Sequence, residues 1–342
     1  MKAAVYYSND NVVVQDMPIP DINDNELLVK TKSCGICVAD TMEWYQQPKA
    51  PLVLGHEATG IVEKVGSNVE GFSVGDRVFV HHHIPCMKCE HCNNHNYTLC
   101  AVFKKTNYRP GGFCEYFAVS PLHMMDTLIL PDNVSFEEGT LIEPLACAVH
   151  AIKRTNVRPG DRVAIIGAGS IGIMFAQILK AYGVRNIVMF EIDGWRAKMA
   201  EKITQNNVLK PSADIRENID AYKMAAKSDG ANKVFVMAKD INAMSMGLEL
   251  AYGGATVMLF ATPRDDEYLP LYVSKAFFKE LTIMLSYSAD HLDTREALEL
   301  ISSGRIEVKN LITHRFSLDE VSKGILLTAG RTKTLKCVVN VQ

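Results

Sequence analysis

The chain is short of the features that mark several broad protein classes. No run of eighteen apolar residues occurs, so no transmembrane helix is expected. Its 342 residues carry a formal net charge of only −3, which argues against a general nucleic-acid or membrane-surface role. The N-terminal residues Met1–Tyr7 turn polar at Ser8-Asn9-Asp10 and read as a first strand, not as a signal peptide. No internal repeat or low-complexity tract is visible. What remains is a chain long enough for two ordinary domains, with 48% apolar residues to fill their cores.

Cysteine is present in unusual order. Nine cysteines occur, an odd number, and four of them cluster at Cys86, Cys89, Cys92 and Cys100. Four thiolates at this spacing close a tetrahedron around one Zn²⁺ and leave no position for water, the mark of a structural site. Clustered thiols without a secretion signal point to metal binding in a reducing compartment, so the cytoplasm is expected. Cys34, Cys114, Cys147 and Cys337 are read as small buried core residues.

The hydrophobic pattern changes along the chain. Residues 1–80 read as short strands broken by turns, as in a compact β-rich barrel. A cysteine lobe follows at 81–112, and then another β segment from Phe113 to Val119. Ser135-Phe-Glu-Glu138 is a capping box that predicts a helix running through Ala151. Strand and helix then alternate from Val163 to Phe260, the signature of a parallel sheet covered by helices. The chain ends on a strand, Leu335–Val341, suited to return to the first domain.

Within the alternating region, Gly167-Ala-Gly169-Ser170-Ile171-Gly172 follows the strand Val163–Ile166 and opens a helix. Gly167 permits the tight turn, Gly169 lets a pyrophosphate approach the backbone, and Gly172 lets helix and strand pack closely. Helix-start amides then face the phosphates. Glu191 lies about 20 residues on, where a carboxylate binds the ribose diol and repels a 2′-phosphate. This favours NAD over NADP; the neighbouring Arg196 could soften the preference.

Cys34-Gly-Ile-Cys37-x-x-Asp40, Gly55-His-Glu-Ala-Thr-Gly60, Gly75-Asp-Arg-Val78, the four-cysteine lobe, Gly111-Gly-Phe-x-Glu-Tyr116 and Glu143-Pro-Leu together resemble the zinc-dependent medium-chain alcohol and polyol dehydrogenases, close to the sorbitol (iditol) dehydrogenase branch. The resemblance covers nearly the whole chain. It implies an α/β fold in which a GroES-like β-rich catalytic domain (1–152, with the zinc lobe at 81–112) precedes a Rossmann NAD-binding domain with a doubly wound parallel sheet (153–288). Residues 289–342 would return to the catalytic domain. It implies two zinc ions per chain and an assembly of two or four copies.

Carried over by the same resemblance, Cys37 and His56 bind a catalytic zinc, and Glu57 is a direct ligand in some states. Glu143 is the further carboxylate, on zinc or on its water, and Asp40 orients ligands. Zinc with an open position is a Lewis acid toward a substrate oxygen. The implied reaction is hydride transfer from a secondary alcohol, a polyol or sugar derivative, to NAD. Two readings stand beside it: threonine-type amino-alcohol oxidation, and a non-catalytic NAD-binding redox sensor.

The chain departs from the family pattern in several places. Ala39 stands where a hydroxyl normally begins the proton relay; Glu143 or Glu57 with a water, Thr41, or the substrate's own hydroxyl would have to replace it. Glu43 either faces the pocket, favouring polyhydroxy or cationic substrates, or lies on a solvated surface. Lys239 replaces a glycine at the end of the fourth Rossmann strand. His81, His82 and His83 are adjacent; if they lie in a strand, successive side chains point oppositely and the three cannot share one site, so a structural or surface role is expected. His83-Ile-Pro-Cys86 is similar to a threonine-dehydrogenase motif whose histidine lies near the substrate.

Overall fold

The computed structural model describes residues 1–330 and 333–341; residues 331, 332 and 342 of the expected returning segment lie outside the described residues. The chain divides into two compact units, Met1–Ala146 with the segment from Ala289 onward, and Cys147–Ser288. The division falls within the helix Ile142–Arg154.

The first unit is β-rich. Its strands form two sheets in place of one continuous barrel wall, one of seven strands and one of three. Leu27–Ile36 is the hub of the larger sheet. It pairs antiparallel with Glu57–Val65, with Tyr116–Val119 and with the terminal strand Lys336–Asn340. Cys337 sits opposite Ile36, and Val339 opposite Cys34. Alternate apolar side chains from these strands, among them Val29, Val62, Val80, Phe117 and Val339, fill one core. Cys34, Cys114 and Cys337 are buried within that core, as small apolar residues are. Cys147 differs from expectation, being only half-buried.

The second unit is a six-stranded parallel sheet. Its order is Asn207–Leu209, Asn186–Phe190, Arg162–Ile166, Ala231–Val236, Ala251–Leu259 and Thr282–Leu285. Numbered by sequence this is 3-2-1-4-5-6, the doubly wound order whose switch point lies beside the first strand. The Gly167 turn leaves the end of that first strand.

The helix predicted from Ser135 through Ala151 is broken. Ser135 caps Phe136–Gly139 through the expected reciprocal bonds: Glu138 N donates to Ser135 Oγ at 3.2 Å, and Ser135 N donates to Glu138 Oε2 at 2.9 Å. Thr140 then turns its hydroxyl onto Glu137 O at 2.7 Å, and a second helix, Ile142–Arg154, starts afresh. The break places Glu143 in the first turn of the new helix. No described helix is long and apolar enough to cross a membrane.

The returning segment is tied down by Glu137. Its carboxylate accepts from Arg315 Nε and Nη2 at 2.8–3.0 Å and from Asn340 Nδ2 at 2.8 Å. The Arg315 guanidinium outweighs partial burial and holds the Glu137 carboxyl below the usual range. A carboxyl whose folded pKa is depressed stabilises the fold above its unfolded pKa and loses that contribution as pH falls through the folded one. Glu137→Gln should therefore lower stability at pH 7, with the difference from wild type shrinking as pH falls below about 4 and vanishing only below the depressed folded pKa. Urea unfolding across pH checks this; a gap independent of pH would contradict it.

Candidate active site and metal centres

Two groups of metal-ligating side chains occur where the sequence places them. In the lobe, the thiols of Cys86, Cys89, Cys92 and Cys100 all lie within 4.8 Å of one another. Short turns bring them together: Glu90–Asn93 is a single helical turn, and Met87 and His95 adopt left-handed backbone conformations on either side of it. Cys89 and Cys92 sulfurs are 3.5 Å apart, and Cys86 N donates to Cys100 Sγ at 3.3 Å. Burial raises the Cys100 thiol, but amides of Cys86, Val102 and Phe103 outweigh it and bring the thiol down to about 6. Four converging sulfurs, one already favouring thiolate, fit a closed Zn²⁺ site.

The second group is Cys37, His56 and Glu57, again with ligand atoms within 4.8 Å. Cys37 follows the strand Leu27–Ile36 and caps the short turn Val38–Thr41. Glu57 opens the neighbouring strand, and His56 immediately precedes it. Asp40 connects the two: its Oδ2 accepts from Cys37 N at 3.0 Å, and its Oδ1 lies 3.2 Å from His56 Nδ1. Burial pushes the His56 imidazole down, yet Asp40 and then Cys37 hold it well above its ordinary value. A thiolate, an imidazole and a carboxylate form a three-ligand set of the open, catalytic kind.

Glu57 is completely buried and pairs with Lys336 of the terminal strand. The two side chains meet over Gly35. A Cβ there would lie 1.8 Å from Glu57 Oε2 and 3.1 Å from Lys336 Cε, so only glycine leaves room. Glu143 is 5% exposed and acts electrostatically on both Glu57 and Lys336. Its ligand atom groups instead with His81 and His82, within 4.8 Å of each.

The three histidines do not form one group: His81 and His82 lie with Glu143, and His83 does not. The strand Arg77–His81 stops at His81, so the alternation that would separate His81 from His82 no longer applies. His81 and His82 are buried, not surface residues, and the His82 ring lies 4.6 Å from that of His56. His83 turns away and donates through Nδ1 to Thr106 O at 3.1 Å. Burial, followed by the charge of His81, pushes the His83 imidazole down to about 3.

Other departures find their places. Ala39 N donates to Cys37 Sγ at 3.4 Å, and the Thr41 hydroxyl donates to Val38 O at 2.8 Å. Glu43 is exposed and accepts from Asn9 N at 3.1 Å, so the solvated reading holds for it. Lys239 is exposed in the loop after Ala231–Val236.

In the second unit, Gly167 has φ +99, and a Cβ on Gly172 would lie 2.0 Å from Gly167 O. Among the described residues nothing lies within 4 Å of the Cβ position of Gly169. Ser170, Ile171 and Gly172 form the first turn of Ser170–Ala181, whose amides start here. Glu191 follows the strand Asn186–Phe190; its Oε2 accepts from Ala168 N at 2.8 Å and its Oε1 from Asp193 N at 3.0 Å. The carboxylate thus also clamps the glycine turn, a role the sequence spacing did not reveal. Arg196 lies in the first turn of Gly194–Thr204.

Comparison with known proteins agrees with both units. Residues 23–131 match the model of the alcohol dehydrogenase GroES-like domain, and 170–303 that of the zinc-binding dehydrogenases. A sorbitol dehydrogenase of Bacillus subtilis is 30% identical over 333 residues, covering 94% of this chain and 91% of its own. A probable D-xylulose reductase A of Aspergillus clavatus is 33% identical over 314 residues, covering 88% and 86%. A zinc-binding dehydrogenase of Sinorhizobium meliloti, solved with NADP, superposes with a TM-score of 0.88 at 27% identity, covering 99% and 98%.

The buried Lys336–Glu57 pair yields a direct test. Lys336→Met should cost the metal-free chain about 3–5 kcal/mol, because it strands a buried carboxylate. The double variant Lys336→Met/Glu57→Gln should recover most of that. Denaturant titration of the three proteins decides; a single variant within about 1 kcal/mol of wild type would show that the pair is not the buried anchor described.

Proposed function

The chain belongs to the zinc-binding alcohol dehydrogenase family, and on that premise we propose that it oxidises a vicinal polyol or sugar alcohol at a secondary hydroxyl. The substrate loses a hydride to the nicotinamide and a proton to the surroundings, giving a ketone and NADH; the reaction is reversible. The observation that carries this reading is the Cys37–His56–Glu57 set held by Asp40, with the carboxylate Glu143 nearby in place of a further thiol. Zinc bound there supplies Lewis acidity toward a hydroxyl oxygen.

The chain's own groups divide the remaining work. Asp40 fixes the His56 ring and the Cys37 backbone together, so both donors keep one geometry. Lys336 pairs with the buried Glu57 carboxyl beside them and offsets part of the cost of its burial. No hydroxyl relay starts at Ala39, and the hydroxyl of Thr41 is directed at the backbone. In the second unit, Gly167, Gly169, Ser170, Ile171 and Gly172 receive the pyrophosphate, and Glu191 selects the unphosphorylated ribose of NAD beside Arg196. Cys86, Cys89, Cys92 and Cys100 hold the structural zinc. Relatives named sorbitol dehydrogenase and D-xylulose reductase support the polyol class.

The assembly is a homo-oligomer built on the edge strand Thr282–Leu285. This edge carries unpaired backbone groups, and the segment leading to it exposes Tyr268, Tyr272, Phe277 and Phe278 at 70–86%. A cluster of large apolar side chains beside an open edge suits an isologous contact with a second copy. Clustered thiols support a reducing, cytoplasmic setting.

Zinc-loaded protein should reduce NAD⁺ with at least one vicinal polyol while threonine is inert. Asp40→Asn should lower kcat/KM and zinc affinity by about 10–100-fold. Turnover of threonine alone would overturn the substrate class, and silence across polyols, sugar acids and secondary alcohols would overturn the reading altogether. Phe278→Glu should reduce the mass seen by light scattering to that of a smaller assembly; a monomeric wild type would contradict the interface.

A further inference from the structure

We propose that Gln46 is a positioning residue for the catalytic set, acting through the backbone of Ala39 on the sulfur of Cys37. The inference rests on the reading of Cys37 as a zinc ligand. Gln46 closes the short helix Glu43–Gln46 and is only 7% exposed. Burying a carboxamide is unfavourable unless it is hydrogen-bonded. Its Nε2 donates to Ala39 O at 3.0 Å, and Ala39 N in turn donates to Cys37 Sγ at 3.4 Å. Met42 N reaches the same carbonyl at 3.3 Å, the longer of its two bonds. Ala39 is thus held at both backbone groups, by Gln46 on one side and by the sulfur on the other.

The rest of the turn Val38–Thr41 is tied down by other side chains. The Thr41 hydroxyl takes Val38 O, and Asn9 Nδ2 donates to Thr41 O at 2.9 Å. Asn9 is itself fixed by Tyr6, whose hydroxyl donates to its Oδ1 at 3.0 Å. Gln46 alone among these side chains reaches the residue whose N–H meets the sulfur. An N–H donor on a thiolate draws electron density from the sulfur and weakens its donation to a metal. Groups behind the ligands tune a metal site in this way, and hydrogen bonds in series polarise one another. Without the Gln46 donor the Ala39 backbone is less constrained and its N–H···S bond slackens. A more strongly donating sulfur makes the metal a weaker Lewis acid toward a hydroxyl oxygen. Ala39 lacks a side-chain hydroxyl, so its part in the site is played by its backbone, and Gln46 sets that backbone in place.

Co²⁺ serves as the probe, because its thiolate-to-metal absorption reports how strongly a cysteine sulfur donates. The full chain is stripped of metal and reloaded with Co²⁺, and the absorption that Cys37→Ser removes is assigned to Cys37. Gln46→Met keeps the length of the side chain and removes the donor. It should move that absorption to longer wavelength, leave the remaining thiolate absorption of the cysteine lobe unchanged, and lower kcat/KM of the zinc-loaded enzyme about 10-fold. Gln46→Glu, whose ionised carboxylate cannot donate, should do the same and replaces it if Gln46→Met does not fold. Gln46→Lys carries a donor at similar reach and should return the absorption toward its wild-type position. The proposal is overturned if the Cys37 absorption of the methionine and glutamate variants coincides with that of wild type. It is equally overturned if the lysine variant stays with them, since altered packing and not the lost donor would then move the absorption. If Cys37→Ser removes no absorption, Cys37 is not a ligand, and the reading of the catalytic set fails together with this inference.

Discussion

The contact between Lys336 and Glu57 is the constraint around which the candidate site is organised. A carboxylate and an ammonium are both taken out of water, at a desolvation cost that only close pairing offsets. Their partners in sequence lie 279 residues apart. The pair forms because the terminal strand lies antiparallel to Leu27–Ile36, which in turn lies antiparallel to Glu57–Val65. Gly35 in the middle strand has no side chain to block the crossing. The site therefore depends on the last strand of the chain as much as on the motifs near its start.

Around this pair the chain uses one device twice. Asp40 orients His56, and Asp126 orients His81, each from a fully buried position. A carboxylate on one imidazole nitrogen leaves the other committed as a donor, which for His56 is the usual support of a metal-bound histidine. The consequence is a densely polar interior in a domain whose remaining core is aliphatic and aromatic. Such a cluster is stable only if its members are satisfied by one another or by ions.

Much of this was legible beforehand, and the limits have physical causes. The glycine fingerprint could be read because each glycine answers a local need, and the parallel sheet appeared in the alternation of strand and helix. The four-cysteine lobe is local in sequence as well. By contrast, Cys37, His56 and Glu143 could be joined only through family resemblance, since no spacing rule connects residues on different strands and helices. Strand alternation does not separate His82 from His81, because the strand ends at His81, although the three histidines do not share one site. Nothing in the sequence near Lys336 marks it as the partner of Glu57. The capping box at Ser135 was correctly read, but the Thr140 hydroxyl that ends the first short helix lies beyond what a cap signal encodes.

The account rests on Cys37, His56 and Glu57 forming one open zinc site beside the closed lobe. Diffraction from crystals of the zinc-loaded protein, measured on both sides of the zinc absorption edge, tests it most directly. An anomalous peak among Cys37 Sγ, the His56 ring and the Glu57 carboxylate, additional to the one within the cysteine lobe, is the predicted result. Anomalous signal in the cysteine lobe alone, with the trio empty in fully loaded protein, would contradict it.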